Sequence, residues 1–357
     1  MNPRAKVRVF VLTYRRPALL RRALRSLLGQ TFRDWVCELH NDAPDDPSPQ
    51  LILEEVAPGD SRFVYCQHIQ NEGAVACFNR VFKGGPEPYA ALLEDDNWWE
   101  PGFLSTLLPL IEATPDASLI WANMQIWHEQ PDGTWLDSGR TIWHCPATAT
   151  PMKFIAPELI QAFDALHSNG AMIFRPAAFE PQEVPAQSPF AIIEALRERA
   201  ATGSLLFCPT VLANFAVTRD SSRSKDPVHW VQAQLLLAAS FFAVAKPRRA
   251  DVQRLWSALY RMTPPGTDIL FLTAAVLRDA TFIQPGSVDA WLRFLASAVR
   301  HPKRVMRIFQ FRAAHPETWQ WLQATTRRWC GVPHCSLTDK TEFAVSGAAT
   351  APASPRA

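Results

Sequence analysis

The chain has no glycine-rich phosphate loop: neither G-x-G-x-x-G after its first apolar strand nor G-x-x-x-x-G-K-[ST] occurs anywhere in it. That excludes ordinary dinucleotide dehydrogenases and P-loop NTPases. No C-x-x-C pair is present either, and the seven cysteines (37, 66, 77, 145, 208, 330 and 335) are odd in number and scattered. Neither a disulfide framework nor a zinc knuckle is therefore expected, and the cysteines read as small buried apolar residues. Long hydrophobic runs are also scarce: the longest uncharged apolar run, 235–245, falls well short of the roughly 20 residues that span hydrocarbon. The N-terminal apolar stretch is broken by Arg8 and followed by Arg15 and Arg16, unlike a signal peptide, so a cytoplasmic protein is expected. Charge of one sign is not in excess. With 36 Lys plus Arg against 34 Asp plus Glu, the net charge of +2 does not suit a surface given over to nucleic acid.

What is present is a chain of 357 residues, 48% hydrophobic and 20% charged, enough for about two ordinary domains. Residues 7–13, Val-Arg-Val-Phe-Val-Leu-Thr, read as a strand buried on both faces. Pro17 then opens a helix whose leucines recur at helical spacing up to Gly29. Further strands at 36–40, 62–66 and 89–93 alternate with helical segments, 74–82 among them. Such alternation implies right-handed crossovers and a mostly parallel sheet whose ligand site lies at the carboxyl ends of its strands. Beyond Pro101 come a helix at 103–112, an extended Trp-rich segment at 118–143, a strand at 170–175, a helix at 189–201 and an extended segment at 204–217. From about 226 the pattern becomes helical and Pro-punctuated. Residues 246–329 hold 14 Lys plus Arg but 5 Asp plus Glu, and 336–357 have the small, polar composition of a disordered tail.

Three polar clusters at strand ends carry the candidate chemistry. Glu94, Asp95 and Asp96 are adjacent carboxylates, a costly concentration of charge that a Mg²⁺ or Mn²⁺ ion would relieve, sharing its coordination with a substrate diphosphate. The alternative is a solvated acidic turn. Thr13-Tyr14-Arg15-Arg16-Pro17 offers an aromatic face for a base and two guanidinium groups for phosphate. Asp42 can accept hydrogen bonds from a base or ribose, or else serve the Asn41-Asp42-Ala43-Pro44 turn.

These motifs, taken in order, resemble family 2 glycosyltransferases of the GT-A fold. The resemblance lies in Val9-Phe-Val-Leu-Thr-Tyr-Arg-Arg-Pro17, Leu24-Arg-Ser-Leu-Leu-Gly-Gln-Thr-Phe-Arg-Asp-Trp35, Asn41-Asp42, Asn71-Glu-Gly73, Asn79, and Leu93-Glu-Asp-Asp-Asn97 with Pro101. It is strong to residue 104 and faint from there to about 220. It implies a GT-A domain over 1–225, with a nucleotide-binding half at 1–104 and an acceptor half at 105–225. A basic helical domain at 226–332 and a disordered tail at 333–357 would follow. It further implies transfer of a sugar, with inversion, from a nucleotide-diphosphate donor, UDP-linked by preference, to a saccharide or lipid-linked hydroxyl. By the resemblance Thr13, Tyr14 and Asp42 hold the nucleobase, Asp95 the ribose or sugar, and Asp96 the divalent ion, with Arg15, Asn41, Asn71 and Asn79 completing the nucleotide site.

The chain departs from the family pattern at three places. Asn41 stands where an Asp is usual. The acceptor-half Glu-Asp pair that supplies the base is reduced to Glu194, in Ser188-Pro-Phe-Ala-Ile-Ile-Glu-Ala-Leu-Arg197 and slightly out of register. The histidine near the end of the fold is missing from Val217-Thr-Arg-Asp-Ser-Ser-Arg-Ser224, where Arg219 is the candidate to neutralise the leaving diphosphate. A catalytically silent nucleotide-sugar-binding module of the same fold is the alternative function. A nucleotidyltransferase, which needs a Gly-rich loop after the first strand, is a third. Glu194, Arg197 and Glu198 can otherwise be read as exposed helix residues. In the helical region Trp256, Trp291, Trp319, Trp321 and Trp329 interleave with basic residues, which suits either an ordinary helical core or peripheral contact with the inner face of a membrane.

Overall fold

The computed structural model of the protein describes residues 5–146, 149–155, 157–219, 226–245, 247–262, 269–278, 282 and 288–329. The tail expected at 333–357 lies outside the described residues. Two units are formed: Met1–Ile155, His167–Glu183 and Ala201–Ser221 make the first, and Ala156–Leu166, Val184–Ala200 and Ser222–Ala357 the second.

In the first unit, β1 (Val7–Thr13) lies between β2 (Trp35–Asn41) and β4 (Tyr89–Glu94), with β3 (Phe63–Gln67) outside β2, all four parallel. Val7, Val9, Phe10 and Val11 of β1 are buried, as a strand covered on both faces requires. Helix α1 (Pro17–Leu28) starts with proline at its first turn and buries Leu20, Ala23, Leu24 and Leu27, the i, i+3, i+4, i+7 stripe. Between the strands run α2 (Ser48–Val56) and α3 (Ala74–Lys83), and α4 (Phe103–Glu112) follows the two-residue strand β5 (Trp98–Trp99).

Beyond β4 the sheet becomes mixed. The long strands β6 (Ala117–Glu129) and β10 (Ser204–Val217) pair in parallel, and β7 (Trp135–Thr141) folds back antiparallel on β6. Strand β9 (Met172–Phe174) enters antiparallel between β4 and β6, while β8 (Met152–Phe154) and β5 pair antiparallel with β10. The ten-stranded order is β3-β2-β1-β4-β9-β6-β10-β5, with β7 and β8 off that path. Parallel character thus holds where helices cross over. The short strands come from returning loops, which antiparallel pairing accepts without a crossover.

The second unit is helical: α5 (Ile193–Ala200), α6 (Pro227–Ala245), α7 (Arg249–Met262), α8 (Ile269–Leu277), α9 (Val288–Arg300), α10 (Pro302–Phe309), α11 (Phe311–Ala314) and α12 (Pro316–Trp329). This division differs from the expected boundary at 225, because 156–166 and 184–200 join the helices. The reason is polar and buried. Glu198 accepts from the Leu166 N–H at 2.6 Å and the Gln161 amide at 2.5 Å. Arg199 donates to the Leu237 carbonyl at 2.8 Å, to Thr326 at 3.1 Å and to Ser240. Helix α6 is also a correction, since its 19 residues are apolar and long enough to cross a membrane by length and composition. It interrupts its apolar run with uncharged Gln232 and Gln234, and 61% of its most apolar window is buried inside the protein, as in a core helix.

Gly84 ends α3 with φ near +67°, and a Cβ there would lie 2.3 Å from the Pro176 ring. Gly84→Ala is expected to lower unfolding free energy by about 1–3 kcal/mol, measured by urea titration.

Candidate functional site

The parallel register sets Thr13 opposite Asn41 and Leu12 opposite Glu94, so the ends of β1, β2 and β4 are level and their polar loops converge. At their centre lies Asp95, 6% exposed. Its carboxylate accepts from the Thr13 hydroxyl at 2.8 Å and the Tyr14 N–H at 3.4 Å. Arg16 reaches the same carboxylate at 3.4 Å and that of Asp96 at 2.8 Å. Burial, and then the adjacent Asp96 charge, push the Asp95 carboxyl up to about 6, and Arg16, Thr13 and Tyr14 offset this only in part. Burial works against the Arg16 charge, yet the two carboxylates outweigh it and hold its pKa above the usual value. The Asp96 side chain keeps 22% of its surface in solvent.

The Asp96 turn is braced from below. Arg22 donates to the Asp96 carbonyl at 2.7 Å, its guanidinium carbon lying 3.8 Å from the Trp98 ring centre and 4.1 Å from that of Trp135. Burial lowers Arg22 to about 10 despite Asp96 and Glu129. Asn97, almost fully buried, donates to Glu94 at 2.9 Å and accepts the Ala216 N–H at 3.1 Å. Trp99 donates its indole N–H to the Gly170 carbonyl at 2.7 Å. A Cβ on Gly170 would lie 2.5 Å from the Asn97 amide, so that backbone sits directly on the acidic turn.

Asp42, 7% exposed, accepts from the backbone N–H groups of Glu72 at 2.8 Å and Gly73 at 3.0 Å, which fixes the Asn71-Glu72-Gly73 loop. His68 Nδ1 lies 2.9 Å from the same carboxylate. The chain continues from His68 Nε2 to His40 Nδ1 at 3.0 Å, and from His40 Nε2 to Glu38 at 3.0 Å. Asn41 turns inward: its amide donates to the Asp46 carbonyl at 2.7 Å, Gln67 at 3.0 Å and Tyr65 at 3.1 Å, and its oxygen accepts the Ala43 N–H at 3.0 Å. Among the described residues, metal-compatible groupings of three His, Cys, Asp or Glu occur at Glu38, His40 and Cys66 and at Asp42, His68 and Cys77.

The remaining candidates are placed as follows. Tyr14 is 47% exposed, with the Arg15 guanidinium carbon 5.5 Å from its ring centre. Arg15, with φ of 55°, pairs with Asp45 at 2.5 Å and so is directed away from the carboxylates, which Arg16 engages instead. Asn71 is exposed and Asn79 is buried on α3. Arg219 is exposed, and its N–H donates to Glu129 at 2.9 Å. Glu194 opens α5 in the second unit and is half-buried; Arg197 and Glu198 are fully buried, which overturns their reading as exposed helix residues. Arg22, His40, His68, Trp98 and Trp135 were not legible as site residues, because their partners lie far away along the chain.

Asp95 gives the first unit a pH signature. A carboxyl whose folded pKa is raised contributes stability below its unfolded value near 4, and that contribution is lost as pH rises through about 6. In metal-free urea titrations, wild-type stability relative to Asp95→Asn is expected to fall between pH 4 and pH 7, by on the order of 2–3 kcal/mol. A difference that does not change with pH would refute the assignment.

Comparison with known proteins follows the same outline. Residues 8–152 match the family model "Glycosyl transferase family 2". EpsH of Bacillus subtilis (strain 168), which bears a glycosyltransferase name, is 31% identical over 102 residues, 29% of each chain. WcaA of Escherichia coli (strain K12), named for a colanic acid biosynthesis glycosyl transferase, is 26% identical over 117 residues, 33% of this chain and 42% of its own. The matches thus span less than half the length of these relatives. Among solved structures, S. aureus TarS 1–349 in complex with UDP aligns at TM-score 0.52 and 15% identity, covering 90% of this chain and 91% of that one. The mannosyltransferase PcManGT from Pyrobaculum calidifontis, in complex with GDP-Man and Mn²⁺, aligns at TM-score 0.50 and 12% identity, covering 92% and 88%. At such identities the likeness is one of fold. Over residues 8–152, less than half of its length, the chain is similar to glycosyl transferase family 2, and its likeness to the solved structures is one of the GT-A fold.

Proposed function

We propose that the protein moves a sugar, with inversion, from a nucleoside diphosphate donor, UDP-linked by preference, to a hydroxyl of a saccharide or lipid-linked acceptor. The observation that carries this reading is the Asp95–Asp96 pair at the end of β4, bonded to Thr13, Tyr14 and Arg16 at the end of β1. The neighbours that bind UDP, or GDP-Man with Mn²⁺, support a nucleotide donor.

The donor set suits a hard divalent cation. Two adjacent carboxylates, one pushed up to about 6 by burial and the other's charge, have only Arg16 as a paired cation among the described residues, and Asp96 retains solvent access. Asp96 would hold Mg²⁺ or Mn²⁺, which when bound neutralises charge on the departing diphosphate. Tyr14 presents the stacking face for the base, with Thr13, Asp42, Arg15, Asn71 and Asn79 around the nucleotide and Asp95 toward the ribose or sugar, while Asn41, buried and bonded within its own loop, would shape the nucleotide site without touching the ligand. Arg219 would neutralise the leaving diphosphate. Displacement at the anomeric carbon needs a base on the acceptor hydroxyl, and Glu194 is the proposed one. The acceptor would be reached at the cytoplasmic face of a membrane, with the basic helices in peripheral contact. The silent-module reading is favoured by one observation, the full commitment of the Asn41 side chain to its own loop.

Calorimetry with UDP and Mn²⁺ tests the donor site. Asp96→Ala is expected to remove the metal-dependent part of the affinity while the protein stays folded, and Tyr14→Ala to cost about 1–3 kcal/mol with or without metal. Failure to bind any nucleoside diphosphate would end the proposal. For the base, Glu194→Gln should preserve donor affinity and slow transfer by roughly 10²–10⁴-fold. Donor binding with no turnover of any uridine or guanosine diphosphate sugar by the wild type would instead establish the silent module.

A further inference from the structure

Among the described tryptophans that interleave with basic residues, Trp291, Trp321 and Trp329 pack against other helices of the unit. Trp291 packs edge-on to Phe271 with ring centres 4.6 Å apart, and Phe294 stacks on Phe271 at 5.2 Å. Trp321 is 4% exposed, and Trp329 meets Phe241 at 5.8 Å. What α9 turns outward is aliphatic: Val288, Leu292, Leu295 and Val299 are 77%, 61%, 52% and 79% exposed. Their i, i+4, i+7, i+11 spacing gathers them within about 60° of the helix circumference, with the buried Phe294 about 130° away. Apolar residues exposed singly need no explanation, but a continuous aliphatic stripe marks a contact surface.

Charge identifies what it contacts. Residues 288–315 contain six Lys or Arg (Arg293, Arg300, Lys303, Arg304, Arg307 and Arg312), all exposed, and one acidic residue, Asp289; Arg293 pairs with Asp289 at 2.5 Å and Arg307 with Asp226 at 2.7 Å, which leaves Arg300, Lys303, Arg304 and Arg312 without a carboxylate partner among the described residues. Arg293 and Arg300 stand about 100–140° around α9 from the stripe, where long side chains can reach along its flank. Exposed Met306 and Phe309 continue the apolar character on α10. Two copies meeting through this face would set like charges against each other. The stripe itself has no aromatic or polar anchor of the kind that fixes a protein partner. An anionic lipid surface satisfies both features, accepting methyl groups at the acyl boundary and guanidinium groups among its phosphates.

We propose that the outer face of α9 is a lipid-docking surface, with Val288, Leu292, Leu295 and Val299 entering the interface and the basic residues of α9 and α10 meeting anionic headgroups. It specifies the membrane contact proposed above, yet stands on the helical unit alone and not on the donor site. Flotation of the full chain without nucleotide sugar tests it, on vesicles of phosphatidylcholine alone and of phosphatidylcholine mixed with phosphatidylglycerol. The wild type is expected to float with the mixed vesicles and to be released by salt. Leu292→Asp with Leu295→Asp should weaken binding by at least about tenfold at unchanged melting temperature, both side chains being exposed. Arg300→Glu with Arg304→Glu should abolish the preference for anionic lipid. No flotation of the wild type, or equal flotation of the variants, overturns the proposal. So does a dimer in analytical ultracentrifugation that the double Asp variant dissociates, which would give the face to a second copy. Because UDP affinity is measured separately, failure here leaves the donor reading standing, and the reverse holds too.

Discussion

One buried carboxylate organises the candidate site. Asp95 sits at the end of an apolar strand where an ionised group is costly, and the surrounding loop is arranged around that cost. The hydroxyl of Thr13, the N–H of Tyr14 and the guanidinium of Arg16 all come from the segment leaving β1, so satisfying Asp95 fixes the first loop against the fourth strand. The offset is incomplete, as the raised Asp95 pKa records. The residual imbalance is electrostatic and of one sign, and the proposed cation site rests on it.

Around this centre the first unit spends polar groups on rigidity. Arg22, held between two indole rings, braces the Asp96 carbonyl from beneath, and Asn97 ties the same turn to the start of β4's loop and to β10. On the other side a buried line from Glu38 through His40 and His68 ends on Asp42, which grips the loop before α3 by two backbone N–H groups. Preorganised loops of this kind save the ordering entropy that a ligand would otherwise have to supply. The helical unit uses the same device for a different end. Glu198 and Arg199 are buried and bonded to segments distant in sequence, which draws α5 into the helices and leaves Glu194 as the acidic residue at its start.

Much of the fold was legible from local pattern. The valines of β1, Pro17 followed by the leucine stripe of α1, and the apolar run ending in Glu94-Asp95-Asp96 each state their structure within a dozen residues, because strand and helix periodicities are short-range properties. The pairings that assign tasks were not. Arg15 and Arg16 are adjacent and alike in sequence, yet one turns to Asp45 and the other to Asp95 and Asp96, a choice made by the left-handed backbone at Arg15. Asp42 was legible as a polar residue at a strand end, but its service to the 71–73 loop depends on a contact across 30 residues.

The sequence by itself determined where β1, α1, β4 and α4 lie, that the polar ends of the strands converge at one edge of the sheet, and that charge is segregated into the helical region, whereas α2, β5 and β8 carried no such pattern and α5 begins at Ile193 rather than 189. Each of these follows from hydrophobic periodicity and from the composition of neighbouring residues. Tertiary structure alone decided which arginine faces the carboxylates, how far Asp95 is buried, that Arg22 lies against Trp98 and Trp135, and that Trp291, Trp321 and Trp329 pack inside the helical unit while valines and leucines of α9 remain in solvent. Desolvation and long-range pairing depend on which segments pack together, and no local pattern encodes the neighbour that arrives from elsewhere in the chain.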